Sequence, residues 1–243
     1  GFYEDRLHQN ESNRSNRDLT ESSDNFFLKS VEARYSYGFD WLGFPIIQYP
    51  QDLIALQEII FNTKPNIIIE TGFARGGSSI FFSSMLNIIS SELRQDQKII
   101  TIDIDFNQES LQQVLSSPFA SSIIPIEGSS IDENVFREVA NHLSPLDKVM
   151  VVLDSMHTKS HVLSELKLYE SLVTKGNFMC AMDTAIGYLP SSASLNRPWS
   201  PEDSPLQAVE EFLTSNSNFV SRTDIDNKLL ISVAKTGYLE KVN

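Results

Sequence analysis

The sequence predicts an α/β fold, a mainly parallel sheet with helices on both faces, and three observations predict it. From Pro50 onward, short apolar runs of the fully buried strand type alternate with segments of helical period. Five such strand–helix units follow one another, and parallel neighbours need crossovers of that kind. Glycine, acidic, serine and histidine residues gather just after the strands, at the edge where sheets of this class hold ligands.

The elements follow in order. Residues 1–34 form a polar N-terminal arm, whose first 25 or so residues read as flexible or else as a strap on a partner subunit, and 35–243 form a single domain. Tyr35 to Tyr49 is dense in aromatics, glycine and proline and reads as irregular but packed. Asp52 to Asn62 places Leu53, Leu56, Ile59 and Ile60 on one helical face. Asn66 to Glu70 is the first buried strand, and Ser78 to Ile89 is helical. Lys98 to Asp103 is the second strand and Ile123 to Ile126 the third. Ser130-Ile131-Asp132-Glu133 fits a capping box that opens a helix ending before Pro145. Lys148 to Asp154 is the fourth strand, His157 to Val173 a helix, and Asn177 to Asp183 the fifth strand. The long connection 184–203, with Tyr188, Arg197 and Trp199, reads as a lid over a site. Ser204-Pro205-Leu206-Gln207 supplies a cap, a first-turn proline and a returning amide for the next helix. Phe219 to Arg222 and Lys228 to Val233 read as two closing antiparallel strands.

Composition narrows the function. Among 243 residues there are 32 acidic and 19 basic side chains, a net charge of −13. That balance argues against nucleic acid and against an anionic membrane surface, both of which select lysine and arginine. A single cysteine, Cys180, excludes an internal disulfide and a cysteine-only zinc site, and a cytoplasmic setting is the expectation. No apolar run reaches the roughly 18 residues of a spanning helix, and the first 25 residues lack the apolar core of a signal peptide.

The strand ends carry the chemistry. Glu70-Thr71-Gly72-Phe73-Ala74-Arg75-Gly76-Gly77-Ser78 makes a turn into a helix N-terminus, where Gly76 and Gly77 let the backbone approach a ligand. Its spacing is not the dinucleotide G-x-G-x-x-G, and the preceding acid would repel a pyrophosphate. Asp103 ends the second strand, the position that holds ribose hydroxyls in nucleoside-binding sheets. Ser129 follows the third strand and lies near a ligand. Asp154, His157 and Asp183 converge if the fourth and fifth strands are neighbours; they then suit a hard divalent cation or general-base work on a hydroxyl. His161, one turn beyond His157, forms a weaker metal-pair candidate.

Taken jointly, E-T-G-x-x-x-G-G-S at 70–78, the acid at 103 and D-S-x-H-T at 154–158 resemble class I S-adenosylmethionine-dependent methyltransferases. More narrowly, residues 35–242 resemble the cephalosporin hydroxylase / rhamnosyl O-methyltransferase family, through 41–48 (WLGFPIIQ), 50–53 (PQDL), 153–158 (LDSMHT), 204–209 (SPLQAV) and 227–232 (NKLLIS). The resemblance implies a Rossmann-like, seven-stranded sheet with the last strand antiparallel. It implies that Glu70, Gly72, Ala74, Gly76, Gly77, Ser78, Asp103, Ser129 and Asp154 bind S-adenosylmethionine. It further implies that His157 is the general base on a hydroxyl of a small or glycosylated acceptor, oriented by Asp154, in a homo-oligomer. Magnesium in the relatives is held by an Asp ending the fourth strand and a Glu-Asp pair ending the fifth. Asp154 and Asp183 match, but Met182 stands where the glutamate should be, so either weak magnesium binding or none follows. The alternative is a non-catalytic or partner-dependent nucleoside-cofactor-binding protein of the cephalosporin hydroxylase type.

Overall fold

The structure is a computed structural model and describes residues 1–89, 96–191 and 197–243. A seven-stranded sheet in the order β5-β4-β3-β6-β7-β9-β8 forms its centre. Its strands are β3 (Ile67–Thr71), β4 (Lys98–Asp103), β5 (Ile123–Glu127), β6 (Val149–Leu153), β7 (Phe178–Ala181), β8 (Phe219–Ser221) and β9 (Tyr238–Lys241). Strands β3 to β7 are parallel, and β9 is antiparallel to both of its neighbours. The chain runs outward through β3, β4 and β5, then returns to lay β6 on the other side of β3. The switch point therefore falls between the ends of β3 and β6.

Side-chain alternation divides the core into two layers. Ile68, Ile99, Met150, Val152, Phe178 and Cys180 face α3 (Pro50–Thr63), α4 (Gly77–Ile88) and α5 (Gln108–Leu115). Ile67, Ile69, Ile100, Val151 and Met179 face α6 (Glu133–Asn141), α7 (Lys159–Tyr169) and α8 (Pro205–Ser215). Among the described residues no helix is long and apolar enough to cross a membrane.

Several expectations need correction. The arm is not a flexible strand of chain: Phe2–Ser15 forms α1 and Arg17–Glu32 forms α2, with the Asn16 side chain capping α2 through Leu19 N–H. Phe27 and Ser30 of α2 meet Tyr49, whose hydroxyl lies 2.7 Å from Ser30 Oγ. The 35–49 segment holds a short 3-10 turn and a hairpin, β1 (Phe39–Trp41) with β2 (Phe44–Ile46), which lies over α4. Helix α6 is capped by Asp132, not Ser130. Helix α5, preceded by the Asn107 cap, was not anticipated.

Residues 228–233 do not form a strand. Thr223–Leu229 is a helix (α9), and the apolar stretch after it supplies donors to a buried carboxylate: Asp52 accepts from Ser232 Oγ at 2.6 Å and from Val233 N at 2.9 Å. Tyr238 at the start of β9 gives Asp52 a third donor at 2.6 Å.

Candidate functional site

The carboxyl edge of the sheet carries the chemistry-bearing residues, and the β3 turn fixes their arrangement. Gly72 adopts φ +94°, and a Cβ there would lie 2.1 Å from the Asp154 carbonyl oxygen. The β3 and β6 ends are thus packed backbone to backbone, which only glycine permits. Asp154 N donates to Thr71 O at 2.9 Å, completing the junction.

From this junction Asp154, His157 and Asp183 come together, each offering one ligand-type atom, all within 4.8 Å of one another. His157 Nε2 lies 3.3 Å from Asp183 Oδ2. Asp154 does not fill the orienting role expected of it; its Oδ2 instead accepts from Gln48 Nε2 at 2.9 Å. Gln48 is only 7% exposed and its Oε1 is buried without a partner. Burial pushes the Asp154 carboxyl well above the usual range, and the nearby Asp183, Glu70 and Glu165 carboxylates push it the same way. The Trp199 ring meets the His157 imidazole edge-on, 4.6 Å between centroids at 88°.

These residues form the floor of a cavity of about 360 Å³. Ala74, Gln48 and Ser155 also line it, with Phe27, Val31 and Arg34 of the N-terminal region and Arg197 and Trp199 of the 184–203 connection. The N-terminal region therefore builds a wall of the site, which its polar composition did not suggest. Tyr188 lies outside this cavity, with its hydroxyl 2.7 Å from Thr236 Oγ1. Residues 192–196 of the expected lid lie outside the described residues. A second cavity, of about 480 Å³, opens at the amino ends of the strands, but Arg222 and Lys228 there are already paired with Asp224, Glu240 and Glu58.

The other expected ligand residues have partners within the protein. Glu70 is 1% exposed and accepts from Ser79 Oγ at 2.6 Å and Thr101 Oγ1 at 2.9 Å. Burial raises its pKa to about 7, against the pull of those hydroxyls. Asp103 Oδ2 accepts from Phe73 N at 2.8 Å and so fastens the 72–76 turn to β4. The room left by Gly76 is taken by Val114 and Phe73, and that left by Gly77 by the Pro45 carbonyl. Both glycines thus let other parts of the chain pack close to the turn on the side where a Cβ would stand. Ser78 is half-buried on the first turn of α4, and Ser129 follows β5 with its carbonyl accepting from Asp132 N. Neither Asp103 nor Ser129 lines the cavity.

His161 joins no metal pair with His157. Its Nε2 sits 3.0 Å from Ser130 Oγ, 3.2 Å from Ser155 Oγ and 3.5 Å from the buried Glu165. Met182 is 1% exposed and packs in the α3–α4 layer. It brings no oxygen ligand. The remaining donor set is two carboxylates, which suit a hard ion such as magnesium, and an imidazole, which suits a transition ion.

The β3–β6 switch, the five parallel strands and the antiparallel β9 inserted between β7 and β8 define a class I methyltransferase fold. Within that class the chain belongs to the rhamnosyl O-methyltransferase/CmcI family, whose model matches residues 33–242. The rhamnosyl O-methyltransferase of Mycobacterium leprae (strain TN) is 27% identical over 151 residues, 62% of this chain and 62% of that protein. The chain thus spans less than two thirds of that relative's length. The rhamnosyl O-methyltransferase of Mycobacterium tuberculosis (strain ATCC 25618 / H37Rv) is 23% identical over 201 residues, 82% of this chain and 76% of that one. Among solved structures, the one described as "cmcI-D160 Mg-SAM" superposes with TM-score 0.61 at 19% identity, covering 85% of this chain and 78% of that chain. An O-methyltransferase from Bacillus cereus in complex with SAH gives TM-score 0.54 at 12% identity, covering 83% and 82%. At these identities the structural likeness establishes the fold.

Proposed function

We propose that this chain is an S-adenosylmethionine-dependent O-methyltransferase acting on a hydroxyl of a small or glycosylated acceptor. The observation that carries the reading is the meeting of His157, Asp183 and Asp154 on the floor of a cavity beside the Gly72 turn. Family membership and the names of the relatives support it. Ala74 borders the cavity where the turn leaves β3, and the 72–76 backbone is braced by Asp103. That turn, with Glu70, Gly72, Ser78 and Asp103 around it, is where the cofactor fits. S-adenosylmethionine supplies an electrophilic methyl group when bound.

The chain's own residues prepare the hydroxyl. With an Nε2 proton donated toward Asp183 Oδ2, His157 presents Nδ1 as the acceptor for the hydroxyl proton. The Asp183 carboxylate stabilises the imidazolium that forms, and the Trp199 edge holds the ring plane. General-base help of this kind is worth roughly 10²- to 10⁴-fold. Asp154, held by Gln48, lies beside His157 and Asp183 in the cavity lining. A divalent ion at Asp154, Asp183 and His157 would lower the hydroxyl pKa, and His157 could not then serve as both ligand and base.

Calorimetry with S-adenosylhomocysteine, followed by turnover of glycosides against a His157→Ala variant, tests the reading. Binding of the nucleoside and loss of turnover in the variant are expected; a variant of unchanged turnover removes His157 from the reaction.

A further inference from the structure

We propose that the acceptor is an anion, a hydroxylated molecule whose carboxylate or phosphate is gripped by Arg34 and Arg197 at the mouth of the cavity. This deepens the preceding reading and rests on it for the hydroxyl, but not for the anion. Both guanidinium side chains line the same cavity as Asp154, His157 and Asp183. The chain carries a net charge of −13, so its overall field repels an anion and any anionic ligand needs local cations.

The two arginines are organised and uncompensated. Arg34 takes a left-handed backbone conformation (φ 53°) just after α2, with its guanidinium 5.9 Å from the centre of the Tyr37 ring. Arg197 Nη2 donates to Tyr37 Oη at 3.3 Å, and its guanidinium lies 5.6 Å from the Trp199 ring centre. Tyr37 thus sits between both cations, and Trp199 links Arg197 to the His157 ring. Among the described residues neither arginine has a carboxylate within ion-pair distance, whereas Arg17, Arg137 and Arg222 each do. The acids of the floor are engaged elsewhere, Asp154 by Gln48 and Asp183 by His157.

The cavity therefore carries its acids already partnered, beside His157, and its two guanidinium groups without an anion. A neutral acceptor leaves two forked cations without an anion. A molecule with a hydroxyl at one end and a carboxylate or phosphate at the other satisfies both and enters hydroxyl first, toward the imidazole. Guanidinium forks match the planar carboxylate and the phosphate alike.

Matched sugars test this by calorimetry on the full chain: p-nitrophenyl β-D-glucuronide, the corresponding glucoside, and the glucoside 6-phosphate. The expected result is that the glucuronide or the phosphate binds about tenfold or more tightly than the glucoside. In Arg34→Gln/Arg197→Gln that preference should fall to near one, with S-adenosylhomocysteine affinity held within about twofold. Which anion binds more tightly identifies carboxylate or phosphate as the group. Equal binding of all three sugars, binding of none, or a preference that survives the double variant overturns the proposal. So does a matching loss of nucleoside affinity, which would assign the arginines to the cofactor. If the wild-type chain ignores the nucleoside yet shows the anion preference and loses it in the variant, the methyl-transfer reading fails and the anion site stands.

Discussion

His157 Nε2 faces Asp183 Oδ2 at 3.3 Å, so the imidazole on the connection after β6 is paired with the acid that follows β7, not with the acid of its own motif. The order of the two losses follows from this pairing. His157→Ala should lower kcat by roughly 10²- to 10⁴-fold, and Asp183→Asn by about tenfold, because the amide still orients the ring but no longer stabilises its charge. Nucleoside affinity should stay within a few-fold in both. Steady-state kinetics with parallel calorimetry checks this; a larger loss for Asp183→Asn than for His157→Ala would reverse the roles.

Stability should rise as pH falls toward 5. Burial raises Glu70 to about 7 and Asp52 and Asp226 to about 6. The native chain then keeps protons that the unfolded chain has released above pH 4 to 5, so the unfolding free energy falls as pH rises from about 5 to 7. The lowered carboxyls Asp132, Glu202, Glu211 and Asp224 act in the opposite sense, but they are largely solvent-exposed and screened. Thermal melting should give a higher midpoint at mildly acidic pH than at pH 8, with a shallower slope in Glu70→Gln. A midpoint that climbs steadily to pH 8 would contradict it.

Gly77→Ala should be destabilising although residue 77 is helical. A Cβ there would lie 2.2 Å from the Pro45 carbonyl oxygen and 2.9 Å from Ile46 Cα, so the hairpin must lift off α4. Overpacking of this kind costs about 1–3 kcal/mol. For a chain of this size each kcal/mol lowers the melting midpoint by roughly 2–4 °C. Gly38→Ala is the control for glycine replacement without a clash, since its φ is not in the left-handed range and nothing lies within 4 Å of its Cβ position. Equal midpoint losses for the two would show that hairpin contact is not the cause.

Met182→Glu should restore an oxygen ligand only at the cost of stability. Met182 is buried in the α3–α4 layer, and a carboxylate placed there is unpaired without a cation. The variant should melt several degrees lower in chelator and recover with magnesium, which should leave the parent chain's midpoint unchanged. Melting curves with and without the ion decide; a variant indifferent to magnesium shows that position 182 faces away from the acids.

The sequence by itself determined the layers and the edge that carries the chemistry. Runs such as Lys98–Asp103 and Val149–Leu153 are apolar on both faces because helices cover both, a property local enough to read from residue order. It also placed Asp154, His157 and Asp183 after two strands, which need only be neighbours for the three to meet. Tertiary structure decided the rest, because backbone and side-chain hydrogen bonds can be claimed by partners far along the chain. The 228–233 stretch looks like a strand, yet Asp52, about 180 positions earlier, takes its donors and leaves the ladder to Tyr238–Lys241. Gly76 and Gly77 look like a glycine turn from residue order alone, but only the fold shows that Val114 and Pro45 pack where their side chains would be. Gln48 lies 106 positions before Asp154, and only the fold brings its amide to that carboxylate.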